Sequence, residues 1–234
     1  LRQAGDGAGR AAATAFNGCL LLEAPTGSGK TLMAGMIAEA FAAPDREANA
    51  RIVWFWFTPF AGLVEQARGA LKSTFAGLRV RDLQGDRVTR GTRSGDVFVA
   101  TWAAVAAANK ETRRVRSGGE FVLALDDLIG ELRADGFRIG AVVDEAHHGF
   151  TRAAEAVRFY RETLRPEFTL MVTATPDDQD VGKFKKAAGI GHLHRIRVSR
   201  RQAVEAGLIK AGIKSIAYLA ADDQKALVDF AATA

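Results

Sequence analysis

The chain has 234 residues, 48% hydrophobic and 25% charged, with a formal net charge of +5. This is an ordinary globular composition, long enough for one large α/β domain with a sizeable core, and its mild basic excess is compatible with a polyanionic partner without requiring one. A single cysteine, Cys19, excludes a disulfide framework, and no apolar run spans a bilayer or reads as a secretory signal, so a cytoplasmic protein with no membrane partner is expected.

Short apolar runs alternate with helix-length amphipathic stretches, the pattern of βαβ units around a mainly parallel sheet with helices on both faces. Cys19–Glu23 reads as a buried strand, followed by a Gly-rich turn and a helix over 30–42. The β-forming run Arg51–Phe57 predicts the next strand, with core packing for Trp54 and Phe55. A helix is predicted over 62–75, with Leu63, Ala67, Ala70 and Leu71 on one face. Strands at Leu78–Leu83 and Asp96–Thr101 flank a polar loop, Gln84–Gly95. The segment Asn109–Glu120, charged and then glycine-containing, reads as a surface insertion. Beyond it come a helix (123–133), a strand (139–144), a helix (153–164), a strand (168–173) and a helix (181–188). A strand at 194–198, a short helix at 202–206 and a last strand at 213–219 complete the series. Residues 1–220 are expected to form one domain, with 221–234 opening a linker. The start at Leu1, without Met, reads as that of a fragment or a trimmed chain.

The Gly-rich turn is Ala24-Pro25-Thr26-Gly27-Ser28-Gly29-Lys30-Thr31. It follows the pattern Gly-x-x-x-x-Gly-Lys-Thr/Ser with alanine in the first position. Gly27 and Gly29 allow successive backbone N–H groups to point at phosphate oxygens, and the helix that follows adds its positive end. Pro25, Thr26, Gly27, Ser28, Gly29, Lys30 and Thr31 are the expected nucleotide-binding residues. Lys30 would reach the β- and γ-phosphates, and the Thr31 hydroxyl would ligate Mg²⁺. ATP and Mg²⁺ are the expected cofactors.

Far downstream, the apolar run Ala141-Val142-Val143 ends in Asp144-Glu145-Ala146-His147-His148. In a parallel sheet, ligands sit beyond the carboxyl ends of strands. Asp144 would therefore share the Mg²⁺ with Thr31, Glu145 would polarise the attacking water as general base, and His147 would sense the γ-phosphate.

These two segments resemble motifs I and II of the DEAD/DEAH-type superfamily 2 helicases. Others fit the family in order: Thr58-Pro59 with Leu63-Val64-Glu65-Gln66 resembles motif Ia, Ala100-Thr101-Trp102 motif Ib, and Thr173-Ala174-Thr175-Pro176 motif III. The whole is closest in flavour to the helicase subunit of type III restriction enzymes, a likeness that Asp-Glu-Ala-His-His and the segment Ser199–Ile209 share. The resemblance implies a RecA-like ATP-binding domain of a helicase or translocase, acting on DNA more than RNA. It implies nucleic-acid contacts at Thr58, Pro59 and Thr101, and coupling of the nucleotide pocket to the strand through Thr173 and Thr175. Gln3 stands where the family often reads adenine. The family's second RecA-like domain supplies catalytic arginines, worth ~10³–10⁵ in rate. Nothing after Ala206 resembles those motifs, so these residues are expected to bind ATP and hydrolyse it weakly, with a nuclease or modification subunit as a further partner.

Three alternatives stay open: a nucleotide-binding interaction module without motor action, an RNA helicase domain, and a P-loop NTPase of another branch. Arg87, Arg90 and Arg93 in one loop, and Arg113, Arg114 and Arg116 in another, could follow a phosphate backbone, but solvated surface is the expected role. His192, His194 and Cys19 lack the spacing of a zinc site.

Overall fold

The computed structural model describes residues 18–43, 51–106, 114–146, 154–176 and 178–210. Seven runs form strands: β1 (Gly18–Glu23), β2 (Ile52–Thr58), β3 (Arg79–Asp82), β4 (Asp96–Thr101), β5 (Arg138–Val143), β6 (Phe168–Thr173) and β7 (His192–Arg197), of which β2, β4, β5 and β6 are rich in β-branched and aromatic residues. They make one sheet in the order β3-β4-β2-β5-β6-β1-β7. Every pairing is parallel.

The helices are α1 (Lys30–Ala42), α2 (Ala61–Thr74), α3 (Trp102–Ala106), α4 (Leu125–Ala134), α5 (Ala154–Arg158), α6 (Asp178–Ala188) and α7 (Arg200–Glu205). A π-helical turn, Phe159–Leu164, continues α5. Strand β2 shows why both faces are covered. Its unbroken apolar run is split by the pleat, so Ile52, Trp54 and Trp56 enter one core and Val53, Phe55 and Phe57 the other. Helices α1 and α2 close the tryptophan side through Ala34, Ala38, Val64, Ala67 and Leu71. The other side receives α4 through Leu125, Leu128, Ile129 and Leu132, and the turn after α5 through Phe159 and Tyr160. The Trp54 ring lies against Gly140 of β5, where a Cβ would meet it at 2.4 Å. Only glycine fits there.

The predicted strands and helices up to residue 206 are present, with ends that coincide or differ by at most three residues. The last predicted strand, 213–219, and the boundary at 220 lie outside the described residues. Two loops differ from expectation. Arg87 is buried and neither solvated nor open to phosphate. Its guanidinium donates to the carbonyls of Leu83, Gln84, Ser117 and Leu123, at 2.7–3.1 Å, and so ties the loop after β3 to the segment before α4. Arg90 and Arg93 are exposed as expected. In the second loop Val115 is buried in the main core, and Arg116 pairs with Asp126 at 2.6 Å and lies over the Phe159 ring. That stretch is anchored to the core. Among the described residues, no helix is long and apolar enough to cross a membrane.

Candidate nucleotide site and neighbouring strand ends

The carboxyl edge of the sheet carries the expected motifs in a row. From the β4 end they follow β4 (Thr101), β2 (Thr58-Pro59), β5 (Asp144-Glu145), β6 (Thr173 to Thr175) and β1 (24–31). The sequence order differs; the strand order creates the row.

At the β1 end, Glu23 is buried and clamped by Arg195 at 2.9 Å and Arg197 at 2.6 Å, both from β7. Ala24, buried where the general pattern has glycine, donates its N–H to the Thr173 carbonyl at 3.1 Å. The Ser28 hydroxyl and N–H both donate to the Pro25 carbonyl, at 2.7 and 3.2 Å, which closes the turn. Gly27 and Gly29 have φ of 81° and 80°, a left-handed geometry that glycine adopts without penalty. Gly29 stands at the N-cap of α1 and no side chain caps it. Thr26 and Gly27 are exposed, and Pro25, Gly29 and Thr31 half-buried. The turn is shaped by its own backbone and opens at the start of a 13-residue helix.

Three charged groups converge beside it. Lys30 is 7% exposed, and its Nζ lies 3.6 Å from the Glu145 carboxylate. Asp144 is also 7% exposed. Burial, with the Glu145 charge beside it, raises the Asp144 carboxyl from 3.8 to about 6, against the opposing pull of the Glu145 N–H and Lys30. That N–H donates to Asp144 Oδ1 at 3.0 Å. Glu145 itself has φ of 46°, a left-handed conformation costly for a residue with a Cβ. The turn points its carboxylate back at Lys30, while Ala146 donates its N–H to the Val172 carbonyl of β6 at 3.0 Å.

Two carboxylates against one ammonium leave the site net negative. A divalent cation would relieve the repulsion, and carboxylate and hydroxyl oxygens suit Mg²⁺. The residues present therefore fit the ion, with Asp144 and Thr31 as the groups to hold it.

Thr173 is buried, and its Oγ1 accepts the Thr175 N–H at 3.2 Å; Thr175 is exposed. The Thr173 carbonyl, bonded to Ala24, joins this turn to the phosphate loop. Thr58 and Thr101 are paired across β2 and β4. Thr58 is fully buried and its hydroxyl donates to the Phe60 carbonyl at 3.1 Å; the Thr101 hydroxyl accepts the Ala104 N–H at 3.3 Å. Both hydroxyls shape the turns that follow them. Pro59 is half-buried and Phe60 exposed at that end. His147 and Gln3 lie outside the described residues. His192 and His194 are exposed on β7 with ring centroids 4.6 Å apart, while burial pushes the Cys19 thiol up to about 12.

Two residues here escaped sequence reasoning. Glu23 looked like a strand end, because its partners lie more than 170 residues away. Trp56 read only as one β-former in the strand run 51–57, but its indole N–H is buried and directed at the Asp144 carboxylate, short of close hydrogen-bond geometry. Only the register of β2 on β5 could have revealed it.

Comparison with known proteins gives a family match: that of the type III restriction enzyme, res subunit, over residues 11–178. No curated protein matches the chain. Among solved structures it is similar to the Hef helicase domain of Pyrococcus furiosus, with 18% identity over 81% of this chain and 37% of that one, at a TM-score of 0.46. It is also similar to a nuclease-deletion mutant of the type ISP restriction-modification enzyme LlaGI, solved with a DNA substrate mimic, with 19% identity over 82% of this chain and 16% of that one, at a TM-score of 0.48. The UvsW helicase of bacteriophage T4 gives 13% identity over 76% of this chain and 54% of that one, at a TM-score of 0.44. The chain thus spans between a sixth and about half of these three proteins. With the phosphate loop, the acidic motif and the all-parallel sheet in place, the chain belongs to the family of the type III restriction enzyme res subunit.

Proposed function

We propose that this chain is the ATP-binding motor domain of a DEAH-type superfamily 2 helicase or translocase. It couples ATP hydrolysis to movement on nucleic acid, and a family described by a restriction enzyme favours DNA over RNA. One observation carries the reading: Lys30, Asp144 and Glu145 converge at the carboxyl edge, 3.6 Å separating the Lys30 and Glu145 charges, beside a loop bonded to Thr173.

The phosphates of ATP lie over the amides of residues 27–31. Lys30 exchanges Glu145 for β- and γ-phosphate oxygens, which frees the Glu145 carboxylate. Glu145 accepts a proton from a water that attacks the γ-phosphorus in line, while the bond to the β–γ bridging oxygen breaks and ADP departs. Asp144 and Thr31 would hold Mg²⁺, which would supply positive charge to neutralise the phosphates. Thr173, bonded to the loop through Ala24, and Thr175 carry the state of the pocket along the row toward the turns at Thr58-Pro59 and Thr101, where the nucleic-acid backbone lies. His147, by the resemblance, would sense the γ-phosphate. By the resemblance, these 234 residues alone turn ATP over slowly, a second motor domain supplying arginines.

ATP turnover measured with and without single-stranded DNA tests this. Glu145→Gln should lower turnover about 100-fold or more and keep nucleotide binding. Unchanged turnover in that variant defeats the motor reading, and fast DNA-stimulated turnover by these 234 residues defeats the need for a second domain.

A further inference from the structure

Trp56 lies on β2 opposite Val142 of β5. Side chains alternate along a strand, so Trp56, Val142 and Asp144 share one face of the sheet, the face α1 covers as it leaves the phosphate loop. The indole is fully buried, and its Nε1 is directed at the Asp144 carboxylate, whose charged form it favours, while falling short of close hydrogen-bond geometry. Phenylalanine would fill much of this space without burying a polar donor, so the N–H calls for an explanation. The indole N–H of Trp54, two residues earlier on the same face, is also buried without a hydrogen-bond partner, but its ring lies against Gly140; what sets Trp56 apart is the carboxylate it faces. Trp102 is on the opposite face, stacked on Phe57 with ring centroids 4.0 Å apart.

We propose that Trp56 is a positioning residue of the nucleotide site: its indole N–H hydrogen-bonds one oxygen of the Asp144 carboxylate when Mg²⁺ and nucleotide bind, and so fixes that carboxylate for the ion. The proposal rests on reading Lys30, Asp144 and Glu145 as an ATP site. Carboxylates that hold metals are commonly oriented by such outer donors, whose loss weakens the metal about 10–100-fold. An indole suits the position because it donates without adding charge to a site that already holds Lys30.

The chain has three tryptophans, so ¹H–¹⁵N spectra of the whole protein contain three indole signals, assignable with Trp54→Phe and Trp102→Phe. Mg²⁺ with a non-hydrolysable ATP analogue should move the Trp56 proton downfield and leave Trp54 nearly in place; the same nucleotide with a chelator should not move it. In Trp56→Phe, the Mg²⁺ concentration needed for tight binding of a fluorescent ATP analogue should rise about tenfold, with Mg²⁺-free binding unchanged. A Trp56 signal that Mg²⁺ and bound nucleotide leave in place overturns the proposal, as does an unaltered Mg²⁺ requirement in Trp56→Phe. If that variant does not fold, the wild-type spectra alone decide. Failure of the wild-type chain to bind nucleotide overturns the ATP site itself, and the proposal with it.

Discussion

The two ends of the strand-end row are built on opposite terms. Where β1, β6 and β5 finish, Asp144 is buried with its carboxyl raised to about 6, Glu145 holds a left-handed backbone, and the Trp56 N–H of the adjoining strand β2 is turned toward Asp144. Where β2 and β4 finish, the hydroxyls of Thr58 and Thr101 are satisfied by the turns they start. The first end carries tension that a cation and a polyphosphate would relieve; the second is locally content. Strain and desolvation concentrate where a charged ligand must be taken up, because groups satisfied by the protein would have to break those contacts first.

Replacing Asp144 should expose the contrast most strongly. Its carboxyl holds a proton more tightly in the folded chain, at about 6, than at the ordinary 3.8. Between those values the folded state binds more protons than the unfolded one. Stability therefore falls as pH rises through that window, and the full penalty is present above it. Asp144→Asn should thus stabilise the ligand-free protein at pH 7.5 by on the order of 2 kcal/mol, gain little below pH 4, and lose Mg²⁺-dependent nucleotide binding. Paired thermal melts of both proteins across pH isolate this group; a destabilised variant at pH 7.5 would show that the carboxylate is well solvated.

A smaller effect in the opposite direction is expected at Glu23. Glu23→Ala leaves Arg195 and Arg197 without their buried partner, but both reach solvent. The loss should be about 1–2 kcal/mol in chemical denaturation, with hydrogen exchange rising first in β7. Uniform exchange along the sheet would show that the clamp is not what holds β7.

At the contented end, Thr58→Val should cost about 1 kcal/mol through the lost bond to Phe60, and Thr101→Val less. Neither should alter nucleotide affinity, which equilibrium binding would check. A nucleotide defect from either would mean that the two ends are less separate than their hydrogen bonds indicate.

How much of this was legible in the sequence follows the same division. Glycines, Lys30 and the apolar run ending in Asp144-Glu145 are local signals, because a phosphate loop and a strand end need residue types at fixed spacing. The alternation in β2 hid the two cores in one apolar run, yet still marked a buried strand. What stayed invisible depends on register and strand order: Trp56 beside Asp144, Glu23 between two arginines of β7, and Arg87 binding carbonyls 30 and 36 residues away. Arginine in a polar loop reads as surface, and only the packing of Leu123 and Ser117 against that loop makes it a clasp.

The central claim is that the converging charges at Lys30, Asp144 and Glu145 await the phosphates of ATP. Calorimetric titration of the wild-type chain and of Lys30→Ala with a non-hydrolysable ATP analogue and Mg²⁺ tests it most directly. Measurable binding by the wild type, weakened about 10–100-fold in a variant that keeps its fold, is the predicted result. Equal affinity in the two proteins would contradict it.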